Sequence, residues 1–241
     1  MKIDDFKSLK AFTVTIDENH VAEISMSRPQ AINTMNSDFW RELPLIIEAL
    51  DSQAAARVII LSSTGKHFTA GMDFSALNNI ADDSDPKSGG DAESLRRHIL
   101  ELQAPFNKFD TARMPVISAI QGACIGGGID MICATDMRFC TSNAYFNIKE
   151  TALGLTADLG TLQRIEKCMP SGLARELAYS SRNMGADEAN ACGFVNAVYS
   201  SQEEMLAAVR TLAATIAKHS PLAVSGTKAM LNFSRDHSLN D

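Results

Sequence analysis

Three carboxylates follow a glycine-rich turn and stand among apolar or uncharged neighbours: Asp130, Glu150 and Asp158. Glu150 comes twenty residues after Asp130, and Asp158 comes eight residues after Glu150. A carboxylate among apolar groups loses solvation of its charged form, so its pKa rises towards the range where it exchanges protons at neutral pH. The three residues therefore predict general acid–base chemistry.

The turn that precedes them, Gln121–Gly128, joins an apolar segment to a helical pattern beginning at Ile129. The segment Val116–Ile120 is rich in β-branched residues and predicts a buried strand. Glycines at such a junction allow close approach of the backbone and leave N–H groups at the positive end of a helix. The stretch Val58–Phe74 has the same order of apolar run, glycine loop and helical start. Two such loops can each donate one N–H to a single oxyanion.

Each carboxylate also has an explanation that involves no chemistry. Asp158 stands just before a predicted helix, where aspartate is a common N-cap. Asp130 falls in a first helical turn, where negative charge favours the helix dipole. Glu150 follows Lys149 and can be a surface residue. Only the joint spacing of the three favours catalysis over these alternatives.

The composition narrows the class of protein. The 241 residues suffice for one large domain, or one domain with a small appendage, and 45% hydrophobic with 21% charged residues are typical of a globular protein. The net charge of −7 argues against a nucleic-acid surface. No apolar run approaches the roughly 20 residues of a membrane span, and the N-terminus lacks the features of a signal or transit peptide. We therefore expect a cytoplasmic protein, or a mitochondrial or peroxisomal one whose targeting segment has been removed.

Five cysteines are present, without a C-x-x-C pair or a histidine at metal-binding spacing. They predict reduced core residues and no metal site. Cys124 alone stands in the glycine turn.

The remaining pattern predicts a mixed α/β chain. A hairpin is expected from strands Ala11–Ile16 and Val21–Ser27, and residues 82–91 are expected to form a polar loop or a lid over a pocket. Further strands are expected at 58–61, 137–140, 144–148 and 194–199. Helices are expected at 37–50 and 92–111, with bends at Pro44 and Pro105, and at 159–168, 171–179, 187–191, 202–218 and 222–233.

Several short motifs occur in a fixed order: Ser27-Arg28-Pro29 with Asn33, Phe68–Asp73, Gly122–Gly128, Ala186–Ala189 and Gly193–Val195. Each is weak alone, but in this order and spacing they resemble the crotonase superfamily, also called the enoyl-CoA hydratase/isomerase family, over nearly the whole chain. The resemblance implies an α/β fold, a crotonase-like spiral of ββα units with C-terminal helices. It divides the chain into a core, 1–200, and a helical region, 201–241, whose last helices continue further in the family.

The resemblance also implies a homotrimer or hexamer that binds an acyl-CoA thioester and needs no cofactor, since coenzyme A is part of the substrate. In the family two backbone amides, here those of Met72 and Gly127, hold the thioester oxygen. The other substrate-binding residues expected are Arg28, Lys66, Ala70, Gly71, Asp73, Gly126 and Gly128. Many members carry a basic residue after the Arg-Pro pair, whereas this chain has Gln30, so the phosphate groups fall to Arg28 or Lys66.

An Asp, Glu, Asp set at this spacing resembles the dienoyl-CoA isomerase branch, which converts 3,5-dienoyl-CoA to 2,4-dienoyl-CoA in fatty-acid β-oxidation. Residues 157–164 and 234–238 also resemble that branch. In this interpretation Glu150 removes the α-proton, Asp158 protonates the far end of the dienolate, and Asp130 tunes the pair. Two alternatives stay open: a hydratase or single-double-bond isomerase of the same family, and a non-catalytic member that binds acyl-CoA or RNA.

Overall fold

The computed structural model describes residues 1–73 and 89–238, and within them strands and helices alternate along the chain. The described strands are β1 Phe12–Ile16, β2 Val21–Met26, β3 Val58–Ser63, β4 Val116–Ile120, β5 Ala123–Ile125, β6 Met137–Thr141, β7 Tyr145–Asn147, β8 Met184–Gly185 and β9 Ala197–Tyr199. The described α-helices are α1 Ser37–Ser52, α2 Gly89–Thr111, α3 Gly127–Cys133, α4 Thr161–Arg164, α5 Ser171–Ser180, α6 Ala186–Ala191, α7 Gln202–Ala217 and α8 Pro221–Asp236. Short 3₁₀ turns cover Ile3–Ser8, Pro29–Ala31, Glu150–Leu153 and Ile165–Lys167.

Two sheets form the body. The larger has the order β1-β2-β3-β4-β6-β9 and is parallel except for the β1–β2 hairpin, while the smaller has the order β5-β7-β8. Strand β4 pairs in parallel with β6, and β5 pairs in parallel with β7. From β4 onwards, each successive pair of strands therefore adds one strand to each sheet, in agreement with the spiral that the family resemblance implies.

Both faces of the large sheet are covered, which explains why its central strands are continuous apolar runs. In β3, Ile59 and Leu61 pack into one hydrophobic cluster with α1 and α2, whereas Val58 and Ile60 face a second cluster. The second cluster is closed by the apolar stripe of α7, formed by Met205, Val209, Ala213 and Ala217. The sheet thus provides a rigid base for the loops at its ends.

Most predicted elements are confirmed, with differences at their ends. Helix α1 runs without a break through Pro44 and is capped by Asn36, whose side chain accepts a 3.1 Å hydrogen bond from the Phe39 amide. Helix α2 likewise includes Pro105. The predicted helix at 159–168 is shorter, since only Thr161–Arg164 is α-helical before a 3₁₀ turn.

The largest difference lies in the glycine turn, where the structure forms strand β5. Its pairing partner, β7, lies about twenty residues further along the chain, so no local sequence pattern predicts strand β5. The predicted loop or lid at 82–91 falls outside the described residues up to 88, and residues 89–91 form the first turn of α2. The helical start expected after residue 73 also lies outside the described residues.

The C-terminal helices lie on the body. Helix α7 packs on the large sheet, and α8 is held by the buried ammonium of Lys228, which donates to the carbonyl oxygens of Phe109 (2.7 Å) and Met114 (3.0 Å). The proposed division of the chain at residue 200 stays a prediction. Across the described residues, no helix combines the length and hydropathy that crossing a bilayer would require.

Candidate active site

The three predicted carboxylates line one cavity of about 310 Å³. Asp130 lies on α3, Glu150 is the first residue of a 3₁₀ turn, and Asp158 precedes α4. The other residues that line this cavity are Thr34, Ala70, Met72, Ile99, Leu102, Ile125, Gly126, Gly127, Lys149, Leu153, Leu155, Thr156 and Leu159. The first turns of two short helical segments and one loop thus bring together side chains that are far apart in the sequence.

Asp130 is the innermost carboxylate, with 1% of its surface exposed. The backbone N–H of Thr161 donates a 2.6 Å hydrogen bond to its Oδ1 atom. Burial raises the pKa of Asp130 to about 7, against the lowering effect of Thr161 and with a further contribution from the charges of Glu150 and Asp158. Near neutral pH this carboxyl is therefore present in both protonation states.

Glu150 is half-buried, and its Oε2 atom is buried without a hydrogen-bond partner among the described residues. Burial raises the pKa of Glu150, its own amide and that of Lys149 lower it, and the charge of Asp158 raises it again. An acceptor oxygen without a partner in a cavity wall is available to a ligand. The suggestion that Glu150 is only a surface residue beside Lys149 is therefore not supported.

Asp158 lies at the solvent-exposed edge of the same cavity. Partial burial raises the pKa of its carboxyl. Its backbone carbonyl accepts a 2.6 Å hydrogen bond from Gln103, and the N-cap position of α4 is taken by Gly160. Asp158 therefore does not cap α4, which removes the structural explanation that the sequence suggested for it.

Two residues that line the cavity, Met72 and Gly127, carry backbone N–H groups without an acceptor among the described residues. Met35 and Met72 form an isolated parallel β-bridge, in which the Met35 amide donates to the carbonyl of Gly71 (2.9 Å) and the Met35 carbonyl accepts from the amide of Asp73 (3.3 Å). In such a bridge the N–H of the residue between them, Met72, is directed away from Met35. Gly127 opens α3, where an N–H has no partner within the helix. Neither amide donates to another described residue.

These two amides are close neighbours because glycines surround them. A Cβ atom at Gly127 would lie 3.8 Å from the Met72 nitrogen, and one at Gly71 would lie 3.3 Å from the Gly127 nitrogen. Gly71 also has φ +86° and packs against the Ile125 carbonyl, where a Cβ would approach to 2.6 Å. The pair can donate two hydrogen bonds to one oxygen.

Four of the other predicted substrate-binding residues lie in the cavity wall or next to Thr34. Ala70 and Gly126 line the cavity, as Gly127 does. Arg28 and Asp73 both contact Thr34 at the cavity: Arg28 donates to its carbonyl (2.8 Å), and its hydroxyl donates to Asp73 (2.9 Å).

Lys66 and Gly128 are further predicted residues that do not line this cavity. Lys66 is exposed to solvent. Gly128 is buried, and a Cβ there would lie 2.6 Å from the Thr69 side chain and 3.1 Å from the Cys124 sulfur. Its role in the structure is close packing of α3. Burial raises the pKa of the Cys124 thiol well above its usual range, which makes this cysteine unreactive.

Sequence reasoning missed several residues of the site. Thr161 contacts Asp130 from thirty-one positions away, and Thr34 links Arg28 to Asp73. An apolar wall is formed by Ile99, Leu102, Leu153, Leu155 and Leu159. Their residue types are common and carry no chemical signal of their own, so only the fold identifies them.

The sequence of this chain is similar to those of known enzymes that act on acyl-CoA thioesters. The family model described as enoyl-CoA hydratase/isomerase matches residues 17–240. A peroxisomal Delta(3,5)-Delta(2,4)-dienoyl-CoA isomerase from Arabidopsis thaliana is 41% identical over 243 aligned positions, covering 99% of this chain and 86% of the relative. The mitochondrial enzyme of the same name from Homo sapiens is 41% identical over 237 positions, covering 96% and 71%.

A solved structure of similar fold is that of a putative enoyl-CoA hydratase from Thermobifida fusca in complex with acetoacetyl-CoA. It superposes with a TM-score of 0.84 at 28% identity, covering 98% of this chain and 91% of that one. The predicted α/β spiral is confirmed by this likeness and by the family match.

Proposed function

This chain belongs to the enoyl-CoA hydratase/isomerase family, and from that premise we propose that it isomerises 3,5-dienoyl-CoA to 2,4-dienoyl-CoA in fatty-acid β-oxidation. One observation carries the proposal: Asp130, Glu150 and Asp158 line the same cavity as Met72 and Gly127, whose backbone N–H groups have no acceptor among the described residues. The names of relatives at 41% identity support the same reaction.

The substrate is an acyl-CoA thioester. Support comes from the acetoacetyl-CoA bound by the related Thermobifida fusca protein and from the paired amides of Met72 and Gly127. The thioester oxygen accepts from both amides, and the hydrocarbon chain lies along the apolar wall of the cavity. The reaction moves protons and no electrons, so it needs no cofactor beyond the coenzyme A of the substrate.

The first step removes a proton from C2. A proton α to a thioester is too weakly acidic for a carboxylate unless the developing oxyanion is stabilised. Hydrogen bonds from Met72 and Gly127 strengthen as charge builds on the thioester oxygen, and this lowers the barrier. Glu150, whose Oε2 has no hydrogen-bond partner among the described residues, takes the proton and leaves a conjugated dienolate.

The second step returns a proton at the other end of the conjugated system. Asp158 protonates C6, the C2–C3 and C4–C5 double bonds form, and the thioester carbonyl is restored. The step requires Asp158 to begin protonated while Glu150 is ionised. The raised pKa of each carboxyl and their mutual repulsion favour one shared proton over two charges. After the reaction Glu150 holds the C2 proton and Asp158 is ionised. Glu150 then releases its proton, and the exposed Asp158 takes one up from solvent, which restores the starting state.

Hydration of an enoyl-CoA is the competing reaction within the family. It requires two carboxylates around one water molecule. Here Oδ1 of Asp130 accepts from the Thr161 amide, and the residue is 1% exposed, so one carboxylate oxygen is already engaged and little of the residue is open to water. This geometry favours isomerisation. Loss of enoyl absorbance on incubation with crotonyl-CoA would reveal hydration.

The deciding experiment compares the protein with its Asp158→Asn variant on a 3,5-dienoyl-CoA. The product is conjugated with the thioester and is followed by its ultraviolet absorbance. We expect rapid product formation that falls by about 10²-fold or more in the variant. Absence of product from the unmodified protein, or equal rates from the two proteins, would contradict the proposal.

We propose a homotrimer or hexamer as the assembled state. Helix α8 carries exposed apolar side chains, including Leu222 (84% exposed), Leu231 (68%) and Met230 (62%), which a subunit contact would bury. Light scattering on the purified protein tests this directly, and a monomer at micromolar concentration would contradict it. The named relatives are peroxisomal or mitochondrial, whereas a cytoplasmic location for this chain stays a proposal.

A further inference from the structure

Thr161 holds a defined position beside Asp130. It is the first residue of α4, and it follows Gly160, whose φ of +124° is a conformation that glycine adopts readily. This turn aims the Thr161 amide at Asp130, where it donates the 2.6 Å hydrogen bond to Oδ1. The contact joins α3 to α4 behind the cavity.

The hydroxyl of Thr161 is unusual. The residue is 1% exposed, and its Oγ1 atom is buried with no hydrogen-bond partner in the described part of the chain. A hydroxyl can both donate and accept, and burial without a partner costs free energy. The side chain nevertheless lies close enough to Asp130 to lower the pKa of that carboxyl.

The short helix that carries Thr161 is anchored. One turn further on, the Arg164 guanidinium donates to Asp110 (2.8 Å) and to Asn107 (2.6 Å) on α2. Arg164 is also packed against Gly160, where no Cβ atom would fit. Because α4 is fixed in this way, the hydroxyl stays near Asp130 whether or not that carboxyl is charged.

We propose that Thr161 is a positioning residue for Asp130: its amide orients the carboxyl, and its hydroxyl turns to donate to the charged form or to accept from the protonated form. Thr161 does not line the cavity and acts only through Asp130. The inference rests on the proposed function for its effect on turnover, but not for its effect on Asp130 itself.

Other titratable groups also face Asp130. Glu150 and Asp158 act on it from the cavity, and Cys124 and Cys133 lie behind it. Both thiols have a pKa raised well above the usual range, so they remain neutral. Of these four groups, the two cavity carboxyls are therefore the ones whose charge changes as protons move during a turnover. A hydroxyl that can reverse its hydrogen bond keeps Asp130 in place through these changes.

The test uses Thr161→Val, which keeps the shape and removes the hydroxyl, and Thr161→Ser, which keeps the hydroxyl. The carboxyl of Asp130 is titrated by ¹³C NMR in the substrate-free protein, with Asp130→Asn identifying the signal. We expect the pKa of Asp130 to rise by about one unit in the valine variant, a tenfold change in its ionisation equilibrium, and to stay unchanged in the serine variant. Equal titration in all three proteins would overturn the proposal.

Turnover provides the second readout. On a 3,5-dienoyl-CoA we expect Thr161→Val to lower kcat about tenfold at neutral pH, to shift the pH profile upwards and to leave KM within about twofold, with Thr161→Ser near the unmodified protein. Added to Asp130→Asn, the valine substitution should have no further effect. If thermal melting shows that Thr161→Val is not folded, Thr161→Ala takes its place, because it removes the same hydroxyl. A protein that turns over no dienoyl-CoA would contradict the proposed function, while the titration would still decide the role of Thr161.

Discussion

Gly126 leaves space for the Glu150 carboxylate: a Cβ atom at Gly126 would lie 3.2 Å from Oε1 of Glu150. Gly126 has φ +54°, and its carbonyl accepts a 2.7 Å hydrogen bond from the backbone N–H of Ile129 at the start of α3. The absence of a side chain therefore lets the proposed base approach the turn that carries the oxyanion donor. Proton acceptor and oxyanion donor are built around one peptide segment.

The substitution Gly126→Ala should impair catalysis more than folding. Alanine is strained at this positive φ by about 1–2 kcal/mol, and its methyl group displaces the Glu150 carboxylate. We expect kcat on a 3,5-dienoyl-CoA to fall about 10²-fold, since small misplacements of a catalytic group are costly. Steady-state kinetics and urea denaturation measure the two effects. Unchanged kcat would show that Glu150 does not need this position.

Gly127→Ala tests the oxyanion site without removing a hydrogen-bond donor. The new methyl group would lie 3.0 Å from the Met35 sulfur and 3.8 Å from the Met72 nitrogen, in the space proposed for the thioester oxygen. We expect kcat/KM to fall about 10²-fold or more, the size of effect seen when one oxyanion donor is lost.

Gly172→Ala is the matched control, because Gly172 lies in α5 and the added methyl group would have no atom of the described residues within 4 Å. It should keep full activity and gain up to about 1 kcal/mol of stability from helix propensity. Equal activity of the two alanine variants would argue against a thioester oxygen between Met72 and Gly127.

Much of the fold was predictable because local patterns reflect burial. Strands β3 and β4 are buried along their whole length, and a continuous apolar run announces such a strand. Strand β5 was not predictable, since three residues of a glycine turn become a strand only by pairing with β7. The pairing of two distant strands, and its register, cannot be read from the sequence of either strand alone.

The candidate site was likewise predictable only in part from the sequence. The spacing of Asp130, Glu150 and Asp158 suggested one group of acids, and the structure places all three in one cavity. Their separate roles came from family resemblance and stay predictions. The contact of Thr161 with Asp130 joins residues thirty-one positions apart, so no periodicity could indicate it.

Lys228→Met should destabilise the protein. The Lys228 ammonium pairs with Asp136 (2.9 Å) and donates to two backbone carbonyls, with only 6% of the side chain exposed. Methionine fills the volume but leaves these acceptors without their donor, at a cost of about 3 kcal/mol. Urea denaturation measures the loss, and Lys218→Met at the exposed end of α7 is the control. Equal stability of the two variants would show that Lys228 contributes little to holding α8.

Asp130 should also make the stability of the protein depend on pH. Its folded pKa of about 7 lies above the ordinary value of 3.8, so the folded state binds more protons than the unfolded state between these values. The stabilising effect of the protonated form is complete below about pH 4 and is lost as the pH rises through 7. It amounts to at most about 4 kcal/mol.

Asp130→Asn removes this dependence, because the amide keeps the shape of the neutral acid and does not titrate. We expect the free energy of unfolding of the unmodified protein to fall between pH 4 and pH 8 by up to about 4 kcal/mol more than that of the variant. Urea denaturation across this range gives both curves, and Asp158→Asn shows how much the exposed carboxyl adds in the same direction. Parallel curves for the unmodified protein and Asp130→Asn would mean that Asp130 stays ionised in the folded state, and it would then be a fixed charge beside Glu150.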